Sequence, residues 1–121
     1  MGNTITLTAI DGFVSKAYRA DPVGDVRGGI VVIQEIFGVN GHIRSVADGY
    51  AAQGYSVIAP QLYDRSAPDI ELGYTQEDVQ KGRDIRVELG FDKPLLDLQA
   101  AVSLLNQKGW LSASWDIVTA V

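Results

Sequence analysis

Gly29-Ile30-Val31-Val32-Ile33-Gln34-Glu35-Ile36-Phe37-Gly38-Val39-Asn40-Gly41 is the stretch on which the reading of this chain turns. Ile30 to Ile33 form a short β-branched run, which suits a parallel strand buried on both faces. A carboxylate, Glu35, stands directly after it, and Gly38 and Gly41 then lead into helical periodicity. A rigid apolar strand, one acidic group at its C-terminal end and a flexible loop into a helix describe a strand that ends at a site. In open α/β sheets ligands bind at that edge.

Downstream, Asn40 is placed to cap a helix over about 41–53, with Ile43, Val46, Ala47, Tyr50 and Ala51 on one face. Gly54 supplies the stop, and residues 55–59, Tyr-Ser-Val-Ile-Ala, read as a second buried strand. Strand, helix and strand make a βαβ unit, so the two strands are expected parallel with a right-handed crossover. Upstream, residues 4–10 alternate between Thr4, Thr6 and Thr8 on one side and Ile5, Leu7 and Ala9 on the other. Asp11-Gly12 is a hairpin dipeptide and 13–19 the return strand, followed by a loop over 20–28. Past the second buried strand comes a long irregular connection, 60–74, then Thr75-Gln76-Glu77-Asp78, which resembles a capping box. A polar helix should run to about Leu89, with Gly90 as its stop. Asp92 is expected to cap another, carrying the stripe Leu95, Leu98, Val102 and Leu105 and ending near Lys108 and Gly109. Residues 115–121 begin one more apolar strand.

The totals exclude several functions. A length of 121 residues allows one domain with a modest core. Net charge is −5, with the 10 basic residues scattered, so no nucleic-acid partner is expected. No apolar run approaches a membrane span and the N-terminus lacks a signal-peptide shape, so no membrane association and a cytoplasmic location are expected. Cys is absent and His42 is the single histidine, so thiolate chemistry and the usual zinc sites have no ligands in these residues. His42 falls near the start of a helix, where an imidazolium meets the wrong end of the dipole, and it reads as a surface or loop residue rather than a base. Gly38 and Gly41 fit neither Gly-x-Gly-x-x-Gly nor a Gly-Lys-Ser/Thr phosphate loop, which leaves nucleotide binding a weak competitor.

Three segments together, Val32-Ile33-Gln34-Glu35-Ile36-Phe37-Gly38-Val39-Asn40, Gly54-Tyr55 and Ala59-Pro60-Gln61-Leu62-Tyr63-Asp64-Arg65, resemble the N-terminal half of the dienelactone hydrolases. The resemblance runs through essentially the whole chain. It implies an α/β-hydrolase-type three-layer sandwich: an antiparallel ribbon, then parallel βαβ strands, ending at the strand before the nucleophile elbow. In that family a Gly-x-Cys-x-Gly elbow follows the fifth strand, and the catalytic aspartate and histidine come later still. None of the three is in these 121 residues.

On that resemblance Glu35 matches the glutamate that gates the catalytic thiol, and Ile36 would give its backbone N–H to the oxyanion hole. From spacing alone, Glu35 reads as a strand-end carboxylate paired within the loop, and Ile36 as packing. An arginine on the polar helix should hold the substrate carboxylate, with Arg83 and Arg86 as candidates, since a guanidinium fork binds a carboxylate through two hydrogen bonds. Either could equally be a solvated helix arginine. Tyr63 and Arg65 read as residues that position the loop.

The implied substrate of the complete enzyme is a carboxylate-bearing lactone or ester, with no metal or organic cofactor. The chain by itself is expected to be inactive. The alternative is a non-catalytic α/β module that binds a small acid or assembles with a partner half. Self-association through the exposed last strand is expected.

Overall fold

The computed structural model describes residues 2–107 and the strand at 114–119. One five-stranded sheet runs through it in the order β1-β2-β4-β3-β5. The ribbon forms where alternation and the turn dipeptide put it: β1 (Asn3–Thr8) pairs antiparallel with β2 (Val14–Ala20). Gly12 takes φ +89° at the turn, a value L-residues rarely adopt. β2 lies antiparallel to β4 (Tyr55–Pro60), and β4 lies parallel to β3 (Gly28–Ile33). β5 (Ser114–Thr119) is parallel to β3 on its other side, with Val31 opposite Ile117 and Ile33 opposite Thr119. The expected end of the last helix at Lys108 and Gly109 and the end of the final strand at 120–121 lie outside the described residues.

The two-residue period of the strands sorts the core into two layers. Ile30 and Val32 of β3, with Val57 and Ala59 of β4, meet Ile43, Ala47 and Ala51 of α1 (Gly41–Ala52). Their neighbours Val31 and Ile58 point the other way. They pack with Leu7 and Ala17 against Ala101 and Leu105 of α3 (Asp92–Asn106). Helices on both faces of the sheet make the three-layer sandwich. α2 (Gln76–Leu89) is mostly exposed, burying only Gly82 and Ile85.

The caps differ from expectation in two places, one of them the expected capping box, where the Asp78 carboxylate accepts from the Gly73 N–H at 2.8 Å. Asn40 caps α1, accepting from the Ile43 N–H at 3.1 Å, and Thr75 caps α2, accepting from the Asp78 N–H at 3.1 Å. Asp92 does not cap α3. Phe91 is the N-cap, in a near-helical conformation without a capping hydrogen bond, and Asp92 is the first helical residue. An acid there still complements the positive end of the helix dipole, so the same residue type serves one position later.

β3 ends at Ile33, together with the β-branched run. Gln34 lies beyond the ladder and its side chain ties the loop: Oε1 accepts from the Leu62 N–H at 2.9 Å and Nε2 donates to the Glu35 carbonyl at 3.0 Å. The connection after β4 holds a short 3-10 turn, Leu62–Arg65. Its later part, the strap 70–74, crosses the loop that follows β3. Gly38 and Glu71 form a bridge, and the Leu72 N–H donates to the Phe37 carbonyl at 2.9 Å.

Candidate active site

A cavity of about 740 Å³ opens at the carboxyl edge of β3. Gln34 to Phe37 form one wall, Leu62 and Tyr63 the floor, and the α2–α3 corner from Arg86 to Leu98 the far side. The lining is largely apolar, with Leu89, Phe91, Pro94, Leu95 and Leu98 at the corner. Phe91 is 87% exposed and Leu95 50%, so this rim is open. Glu35 and Arg86 bring a carboxyl group and a guanidinium group to the lining.

Glu35 is half-buried, and among the described residues its carboxylate makes no hydrogen bond or ion pair. The Ile36 N–H likewise has no acceptor among the described residues. Both residues line the cavity, and neither of these groups is hydrogen-bonded among the described residues.

Arg86 lines the cavity and its charge lies near Tyr63. Burial pushes the Tyr63 hydroxyl above the usual phenol range, and the Arg86 charge works against that rise. Arg83, three residues earlier on α2, is exposed and is not part of the lining. The structure therefore brings Glu35, Ile36 and Arg86 together and leaves Arg83 aside. His42 is exposed in the first turn of α1, away from the cavity lining. Among the described residues no cluster of His, Cys, Asp or Glu could hold a metal ion.

Tyr63 and Arg65 hold the turn after β4. The Tyr63 hydroxyl donates to the Gly82 carbonyl at 3.1 Å, tying the turn to α2. Arg65 reaches α3 and the hairpin at once. It donates to both Asp97 oxygens, at 2.8 and 3.0 Å, and to both Asp11 oxygens, at 3.0 and 3.1 Å. Its guanidinium also lies 4.4 Å from the Phe13 ring centre. No local signal in the sequence announces this network, since its partners are 32 and 54 residues away.

A mixed sheet with an N-terminal antiparallel ribbon, helices on both faces and a polar loop at the carboxyl edge of a central strand defines an α/β-hydrolase-type protein. The family model for the dienelactone hydrolase family matches residues 15–113. The chain belongs to that family. It is 33% identical over 100 residues to the carboxymethylenebutenolidase of Pseudomonas putida, covering 81% of this chain and 42% of that one. A Synechocystis sp. relative, provisionally assigned as a carboxymethylenebutenolidase, is 45% identical over 87 residues, which are 71% of this chain and 35% of the relative. Among solved structures, a provisionally assigned dienelactone hydrolase of Klebsiella pneumoniae superposes with a TM-score of 0.74 at 28% identity, over 97% of this chain and 50% of that one. An esterase of Pyrococcus furiosus shares the fold at 16% identity, with a TM-score of 0.64. The chain thus spans about a third to a half of the length of these relatives. In the described residues no helix is long and apolar enough to cross a membrane.

Proposed function

We propose that this chain supplies the substrate-side wall of a carboxylic ester or lactone hydrolase of dienelactone hydrolase type. The observation that carries the reading is that a Glu35 carboxylate and an Ile36 N–H, neither hydrogen-bonded among the described residues, belong to the lining of one cavity. β5 is parallel to β3 and ends level with Ile33, at the same edge of the sheet. A cysteine there would meet both groups. Glu35 would take up the thiol proton, and the thiolate would attack the substrate carbonyl carbon. Ile36 N–H would stabilise the oxyanion before the C–O bond breaks and the leaving oxygen, which in a lactone stays on the acyl chain, takes up the proton that came from the thiol. Water would then hydrolyse the thioester, releasing the acid and restoring the thiol. Arg86 would hold a second, non-reacting carboxylate of the substrate, with the apolar corner around the rest of it. No metal or organic cofactor enters this scheme.

Cys is absent from the 121 residues, and their only histidine stands outside the cavity. The chain on its own is therefore expected to hydrolyse no aryl ester or lactone. Turnover above a heat-denatured control that disappears in Glu35→Ala would overturn that expectation. Carboxylate recognition is tested separately by titrating phenylacetate into the chain. Arg86→Met should weaken binding by roughly tenfold, the scale of one charge-assisted hydrogen bond. Arg83→Met should leave it unchanged, and equal weakening by both would reduce them to solvated helix charges.

A further inference from the structure

We propose that Gly82 is a positioning residue for the Ile36 loop, the point at which α2 bears directly on the backbone that carries the candidate oxyanion donor. The functional half of this inference rests on the hydrolase reading of Ile36. Its structural half stands on packing alone.

Gly82 lies in the middle of a polar and mostly exposed helix, where glycine is a poor helix former and calls for a local reason. The reason is close approach. A Cβ at Gly82 would overlap the Ile36 carbonyl oxygen, and would stand 3.1 Å from the Ile36 carbonyl carbon and 3.2 Å from its Cβ. The obstacle is backbone, so no side chain can swing aside. The Tyr63 hydroxyl fixes the helix at the same residue, by donating to the Gly82 carbonyl at 3.1 Å.

A second glycine meets the strap that crosses the same loop. Gly38 has φ +89°, and a Cβ there would strike the Ile70 carbonyl oxygen. The Gly38 N–H donates to the Glu35 carbonyl at 3.2 Å, and the Leu72 N–H to the Phe37 carbonyl at 2.9 Å. Residues 35–38 are thus fixed by the strap through Gly38 and by α2 through Gly82. Oxyanion donors act only within a narrow range of positions. A methyl group on α2 would move Ile36 by a distance that matters.

The test uses the full 121-residue chain, labelled with ¹⁵N, and reads amide chemical shifts. Gly82→Ala and Tyr63→Phe should both move the Ile36 and Phe37 amide resonances, and move them further than any amide of the β1–β2 hairpin. Gly49→Ala is the control, because nothing lies within 4 Å of a Cβ at that helical position, and it should leave both resonances in place. If Gly82→Ala does not fold, Tyr63→Phe carries the test, since it removes one hydroxyl and keeps the ring. Ile36 and Phe37 resonances that stay at their native positions in the folded variants overturn the inference. The shifts report the contact whether or not the cavity takes a carboxylate. Shifts that move while phenylacetate binding proves indifferent to Arg86 would remove the carboxylate-holding role of Arg86 and uphold the contact of Gly82 with the Ile36 loop.

Discussion

Arg65 is the residue whose loss the fold should feel most. Its side chain is 8% exposed and that of Asp97 1%, so the pair is buried and each satisfies the other. Removing the cation leaves a buried carboxylate without compensation. Arg65→Met is expected to destabilise the chain by about 3 kcal/mol or more, read as a lower urea midpoint. Asp11, on the exposed side of the same guanidinium, behaves differently. The Arg65 hydrogen bonds hold its carboxyl down from 3.8 to about 2. A depressed folded-state pKa means that stability is fully present above 3.8 and is lost as pH falls towards about 2. Asp11→Asn should therefore flatten the acid limb of a stability-against-pH curve over that window and leave its neutral region parallel to the native one. A curve that steepens there would contradict the assignment. Glu35 was legible in the sequence because a β-branched run points at it. Arg65 was legible only as a loop residue, since ion pairs across the fold leave no local trace. Gly82 left none either, because a glycine inside a polar helix looks like any weak position until the surface it touches is known.

At the scale of elements, the sequence signals that worked are those whose physics is local. Asn40 and Thr75 precede their helices and cap them, and Gly54 and Gly90 follow theirs with φ +103° and +65°. The strap 70–74 could not be read, because it holds no periodic pattern and is ordered entirely by what it crosses. Asn40 joins the two. Its side-chain oxygen caps α1, while its Nδ2 donates to the Tyr74 hydroxyl at 3.1 Å, and the Tyr74 ring meets Phe37 edge-on at 4.5 Å. Arg44 of α1 adds bonds to the Val39 carbonyl and to Glu71, at 2.9 and 3.1 Å. Thr75→Ala removes a cap and nothing else, and should cost about 1 kcal/mol in a urea titration. Asn40→Ala removes a cap and loosens the strap, and Asn40 is buried, so its cost should exceed that of Thr75→Ala. Tyr74→Phe separates the two effects. It spares the cap, and it should speed hydrogen exchange at the Leu72 amide with little change in global stability.

For the molecule as a whole, the layered architecture follows from periods alone: two residues in β3 and β4, three to four in α1 and α3. Strand order does not follow from periods, because which parallel strand flanks β3 is decided by crossovers far apart in the chain. The order β1-β2-β4-β3-β5 has a consequence for solution behaviour. β5 pairs with β3 along one edge, and among the described residues no strand lies along the other. A parallel strand at the rim of a sheet presents unpaired N–H and C=O groups, which a second copy of the chain can pair with. The open apolar rim at Phe91 and Leu95 adds surface that water disfavours. We therefore expect the 121-residue chain to associate with itself, its mass by light scattering rising with concentration. Val118→Lys places a charge in β5, as native edge strands do, and should shift the distribution towards monomer. Val23→Lys is the comparison, since Val23 is fully exposed in the loop between β2 and β3, and it should leave the association as it was. A native chain that stays monomeric across the dilution series would mean that the β5 edge is protected by something other than a second copy. Equal dispersal by both lysines would mean that net charge, not the strand edge, governs the association.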